Sequence, residues 1–176
     1  EIIMKNSGAQ PLLILALITG LMAVGRYFGG DIVHKLDQTG VLLGSAVLAT
    51  IGIFLFSTQT GGMVYVAAVF FAMGICYFWP NMIGFVAEKI PASGALGMSI
   101  VGGIGMFSSS IFQPIIGSWI DNSMEAQSLL GFTGEQLKLA AGQQTLTYMI
   151  SFPGILIILF TILYFWQKGN TQTSTV

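Results

Sequence analysis

The sequence predicts an all-α fold, a polytopic transmembrane helix bundle of five spans, and three observations carry that prediction. Only 7% of the 176 residues are charged and 54% are hydrophobic, with a mean hydropathy of +0.82. A domain dissolved in water carries about a quarter charged residues, because its surface must stay hydrated. Six Lys/Arg and seven Asp/Glu cannot cover such a surface on a chain of this length. The charges are also bunched between long uncharged stretches, as lipid requires. The 23 glycines complete the pattern, since membrane helices pack through small residues.

Taken in order, the apolar stretches place spans at about 11–30, 41–57, 63–87, 95–120 and 145–166. A hydrocarbon core about 30 Å thick asks for about 20 helical residues. Four stretches meet that length, and 41–57 sits at its short end. None presents a charged face, which excludes the amphipathic helices of a soluble protein. Residues 11–168 therefore read as one five-helix transmembrane unit, with 1–10 as an external segment and 169–176 as a cytoplasmic tail. Residues 30–40 read as a short charged loop, 58–62 as a tight uncharged turn, and 88–94 as a short loop in which Pro91 ends the helix. Residues 121–144 read as a long external loop holding a short helix at 134–141, started by a capping box of Thr133 and Gln136.

Orientation follows from Lys and Arg near the span ends. Arg26, Lys35, Lys89 and Lys168 fall on one side, and Lys5 and Lys138 on the other. That excess predicts a cytoplasmic C-terminus in a cell (inner) membrane. Trp119, Tyr148, Tyr164 and Trp166 lie near span ends, where amphipathic rings settle. A net charge of −1 gives no basic footprint for nucleic acid. The single cysteine, Cys76, supports neither a disulfide framework nor a metal cluster, and reads as a small core residue. No metal, no cofactor and no catalytic residue is expected, so the chain does not read as an enzyme: Ser108, Ser109 and Ser110 have no base nearby in sequence. The chain begins at Glu1 without a signal-peptide pattern, and the expectation is that its N-terminal side is missing.

The first span runs into Gly25-Arg26-Tyr27-Phe28-Gly29-Gly30-Asp31-Ile32-Val33-His34-Lys35-Leu36. The third carries Phe78-Trp79-Pro80-Asn81 and ends in Glu88-Lys89-Ile90-Pro91; the fourth passes through Gly102-Gly103 to Gln113-Pro114. In that order and at those intervals, the chain resembles helices eight to twelve of a twelve-helix transporter of the major facilitator superfamily. The resemblance covers essentially the whole chain and marks Gly25, Arg26, Gly29, Gly30, Asp31, His34 and Lys35 as the cytoplasmic loop motif. The chain departs from it at His34-Lys35, where the family carries an Asp-Arg pair; the acidic partner is lost or moved to Asp31 or Asp37. The resemblance implies a missing N-terminal half of the same protein as a partner, beside the lipid bilayer and a small-molecule solute.

The residues point the same way by themselves. Pro80 and Pro114 fall inside apolar spans and predict helix kinks, because proline removes one ladder donor. Such kinks serve either moving parts or packing alone. Tyr77 and Asn81 recur at helical spacing on the third span, and Ser109 and Gln113 on the fourth. Polar side chains at membrane depth must find partners in other helices, water or a solute. Singly, each reads as interhelical glue; as two faces, they read as cavity lining for a sugar-like or other polar solute, with Trp79 on the wall. No ionisable group lies deep in a span, so no proton relay is expected in this segment. The reading is a transporter working by alternating access, and the alternative is a structural or assembly subunit of a membrane complex.

Overall fold

A computed structural model describes the backbone of residues 11–173, and their side chains except at positions 11, 29–37, 135 and 167–173. Residues 1–10 and 174–176, read as an external segment and the end of a tail, lie outside the described residues. Every regular element described is helical: α1 Pro11–Tyr27, α2 Gly29–Thr58, α3 Met63–Cys76, α4 Phe78–Lys89, α5 Gly94–Leu129, α6 Gly134–Met149 and α7 Ser151–Thr173, with a 3-10 turn at Pro91–Ser93. Four stretches are long and apolar enough to cross a membrane: Gln38–Thr58, Met63–Lys89, Pro91–Leu129 and Gln136–Trp166. A fifth, Leu12–Tyr27, is apolar but shorter. At 1.5 Å per residue, the 17 residues of α1 measure about 25 Å.

The bundle is organised around α2, which packs along α3 and also meets α4, α6 and α7. α1 lies against α3, while α5 is held by α6 and α4. Small residues explain why α2 and α3 lie so close. A Cβ on Gly52 would come within 2.6 Å of the Phe71 backbone, and one on Gly74 would strike the backbone of Ala49. Each helix thus presents a glycine to the other's backbone, flanked by the buried alanines Ala46, Ala49, Ala68 and Ala72. At the end near the 59–62 turn, this seam widens into an apolar core of Ile14, Phe56, Val64, Ala67 and Ala68.

The helices differ from the predicted spans in four places. Residues 30–40, read as a loop, belong to α2 from Gly29 onward. Charge predicts exit from lipid, but it does not end a helix, and no proline interrupts this run. Residues 121–129, read as the start of an external loop, continue α5. Their Met, Glu, Ala, Gln and Leu residues favour helix, and the chain stops only at Gly131, which takes φ +88°. There Phe132 N–H donates to Gln127 at 3.3 Å and Gly131 N–H to Ser128 at 3.0 Å, the paired bonds of a Schellman stop.

The third and fifth predicted spans each lose a ladder bond beside one residue, Tyr77 and Ile150, both of which keep right-handed helical dihedrals. α3 ends at Cys76 and α4 restarts at Phe78; α6 ends at Met149 and α7 restarts at Ser151. Pro80 lies three residues after the first pause, and its missing N–H leaves the Cys76 carbonyl without its ladder donor. Pro114, by contrast, lies inside an α5 assigned as helix throughout. The helix predicted at 134–141 starts at Gly134 but runs on to Met149. Thr133 is its extended N-cap residue, and no side-chain bond caps it.

Candidate functional site

The break at Tyr77 is where the third span's polar residues converge. Proline has no N–H to give the carbonyl four residues back, so the ladder fails at Cys76 and resumes one residue later. The Asn81 N–H donates to the Tyr77 carbonyl at 3.1 Å, and the Asn81 side-chain amide donates to the same oxygen at 2.8 Å. Asn81 is buried. Tyr77 in turn donates its hydroxyl to the Gly25 carbonyl of α1 at 2.7 Å. The Cys76 thiol lies 3.3 Å from the Met22 carbonyl, and a Cβ on Gly25 would come within 2.9 Å of that sulfur. Gly25 is thus required where α1 meets the break, and Cys76 is the small core residue its sequence context suggested.

A second break repeats the design. Pro153 is the third residue of α7, as Pro80 is of α4. The ladder resumes with Gly154 N–H donating to the Ile150 carbonyl at 3.1 Å. Aromatic rings from α5 brace this joint: Trp119 stacks on Phe152 at 5.8 Å and meets Tyr148 edge-on at 6.3 Å, while Phe112 meets Phe152 edge-on at 5.3 Å. Gln127 donates to Gln144 at 2.8 Å, and Gln144 to the Tyr148 hydroxyl at 2.9 Å.

The other predicted site residues are scattered around these joints. Trp79 is partly exposed and wedges α4 against α5: a Cβ on Gly105 would come within 2.9 Å of its ring. Ser109 and Gln113 are exposed on α5, whose apolar window contains no buried residue. No hydrogen bond links them to Tyr77 or Asn81 among the described residues. Arg26 is exposed in the last turn of α1, where a cation complements the helix end. Gly29, Gly30, Asp31, His34 and Lys35 lie in the first turns of α2, with side chains outside those described.

Two features escaped the sequence reading. Gln38 is 3% exposed, and its side-chain Oε1 has no hydrogen-bond partner among the described residues. Its amide nitrogen lies opposite Gly84 of α4, where a Cβ would stand 3.4 Å away. Gln38, Leu42, Ser45, Ala49, Gly52 and Phe56 are all buried at three- and four-residue spacing. That spacing was available, but placing 30–40 in a loop cut it off at Val41. The second feature is a cavity of about 450 Å³ between α1, α2 and α3 on one side and α5 and α6 on the other. None of Tyr77, Trp79, Asn81, Ser109 or Gln113 lines it. At its margin, buried Thr145 of α6 donates to the Ala141 carbonyl at 2.8 Å and lies 3.3 Å from the Ser123 hydroxyl of α5. Among the described residues no group of three His, Cys, Asp or Glu could hold a metal. Compared with protein-family models, curated proteins and solved structures, the chain matches none.

Proposed function

We propose that the chain is the C-terminal portion of a membrane transporter of the major facilitator type, moving a small polar solute by alternating access. The observation that carries this is the pair of prolines, Pro80 and Pro153, that each open the hydrogen-bond ladder of a long apolar helix one turn upstream, at Tyr77 and at Ile150. Proline-interrupted helices free backbone carbonyls around the midplane site of many secondary transporters. Asn81, buried on α4 beside Tyr77, and Gln38, buried on α2 opposite Gly84, offer the neutral hydrogen-bonding chemistry such a solute needs. The exposed apolar stripe of Ile155, Ile158, Leu159, Ile162 and Phe165 on α7 is where the other half of such a bundle would seat.

A second reading, a non-transporting structural or assembly subunit, is favoured by the bonds Tyr77 and Asn81 already make to Gly25 and Tyr77. The test is uptake of a panel of labelled sugars and other polar solutes by the full-length protein in liposomes. Asn81→Ala and Gln38→Ala are each expected to weaken apparent affinity several-fold, the worth of about 0.5–1.5 kcal/mol for one neutral hydrogen bond. Normal affinity with lowered thermal stability would make them glue and favour the subunit reading.

The orientation has its own consequence. The proposed cytoplasmic C-terminus puts Ser128, exposed at the end of α5, on the outer side. Cysteine substituted at Ser128 and at Ser174 should react with an impermeant thiol reagent from opposite faces of intact cells. Reaction from one face would overturn the five-crossing topology.

A further inference from the structure

The cavity between α1–α3 and α5–α6 is unsuited to the polar solute proposed above, and its chemistry points elsewhere. Its walls are Ile53 and Phe56 of α2, Phe71 of α3 and Ile116, Ile120 and Met124 of α5, with further apolar residues from α1 and α6. Thr145 is polar, but its hydroxyl proton is already committed to the Ala141 carbonyl. A sugar-like solute would leave water for a space that returns it almost no hydrogen bonds. An apolar chain loses nothing there, and about 450 Å³ lies within the range of pockets that enclose a ligand.

Among the described residues, one charged side chain lines this space: Lys138, exposed in the second turn of α6. A lysine stem lies along apolar surface while its ammonium remains at the polar edge. The α5 wall belongs to a helix with no buried residue in its apolar window, and Ile120 itself is 37% exposed. The cavity is therefore continuous with a face that, in a membrane, is open to lipid.

We propose that this cavity binds one acyl chain of an anionic phospholipid from the surrounding bilayer, with its phosphate held at Lys138. Charge complementarity selects an anion, the lining selects a hydrocarbon chain, and the open α5 wall selects the bilayer as its source. The proposal rests on the helices spanning a membrane and is independent of whether the protein transports anything.

The test is native mass spectrometry of the full-length protein, exposed in detergent to equal amounts of phosphatidylglycerol and phosphatidylcholine with identical chains. Wild type should retain the anionic lipid about fivefold over the zwitterionic one, the discrimination a single surface cation supports. Lys138→Gln should abolish that preference and leave chain binding in place. Met124→Trp, which fills the cavity with a ring, should lower retention of both lipids about tenfold. Ile120→Trp repeats the test from the exposed rim if the first variant unfolds. Equal retention of the two lipids by wild type, or undiminished retention in a folded cavity-filled variant, overturns the proposal. Displacement of phospholipid by oleate at equal concentration would instead assign the site to free fatty acid and overturn the bilayer source.

Discussion

Gly74→Leu is expected to destabilise the bundle strongly, while Gly103→Leu leaves it intact. Both replace a helical glycine, so helix propensity alone would favour both by a few tenths of a kcal/mol or more. Their surroundings set them apart. A Cβ on Gly74 meets the Ala49 backbone, whereas nothing lies within 4 Å of one on Gly103. Backbone cannot rotate aside as a side chain can, so α2 and α3 must separate. Separation would strip contacts from the buried alanines at 46, 49, 68 and 72 together. Overpacking of an interior costs about 1–3 kcal/mol when side chains can adjust, and the backbone clash puts Gly74→Leu at or above the upper end. Against a total stability of about 5–15 kcal/mol, that loss shows as a lowered midpoint of thermal unfolding in detergent. Gly52→Leu, which meets the Phe71 backbone, should behave like Gly74→Leu. Equal unfolding midpoints for the Gly74 and Gly103 variants would refute the small-residue seam as the organiser of the bundle.

Pro80→Ala and Pro153→Ala should each make the protein more rigid and slow any transport it performs. Alanine restores an N–H that can reach the carbonyl of Cys76 or Met149, closing the gap between α3 and α4 or between α6 and α7. If the halves of these helices move against each other in each cycle, closing the joint raises the barrier to that motion. A barrier higher by about 1.4 kcal/mol slows turnover about tenfold. The substrate-contacting groups are unaltered, so apparent affinity should change far less than rate. Initial uptake rates in liposomes, with unfolding temperatures measured in parallel, check both halves of the prediction. Unchanged flux from a protein with straightened helices would remove the joints from the mechanism.

Much of the helical content was legible in the residues, because the membrane imposes long uncharged stretches. The helix ends were less so. Charge marks where a chain leaves hydrocarbon, yet helix continues until a glycine or proline stops it, as at Gly131. That is why residues 30–40 and 121–129 are helical although their polarity suggested loops. The breaks were half legible. Pro80 flagged the first, three residues downstream of where it falls, and Pro153 carried the same signal for the second without being weighed.

The candidate site divides along a similar line. Helical spacing put Tyr77 and Asn81 on one face and Ser109 and Gln113 on another, but spacing within a helix says nothing about what stands opposite. Only the packing decided that Tyr77 and Asn81 bond to Gly25 and to the broken ladder while Gln113 faces outward on α5. Composition by itself determined that this chain is helical and apolar enough for lipid, because that is a property of how many charges it carries. Which glycines are indispensable, which amide oxygen lacks a partner among the described residues and where a cavity opens are properties of pairs of helices. Gly74 and Gly103 are the same residue in the same secondary structure, and Ala49 stands against only one of them.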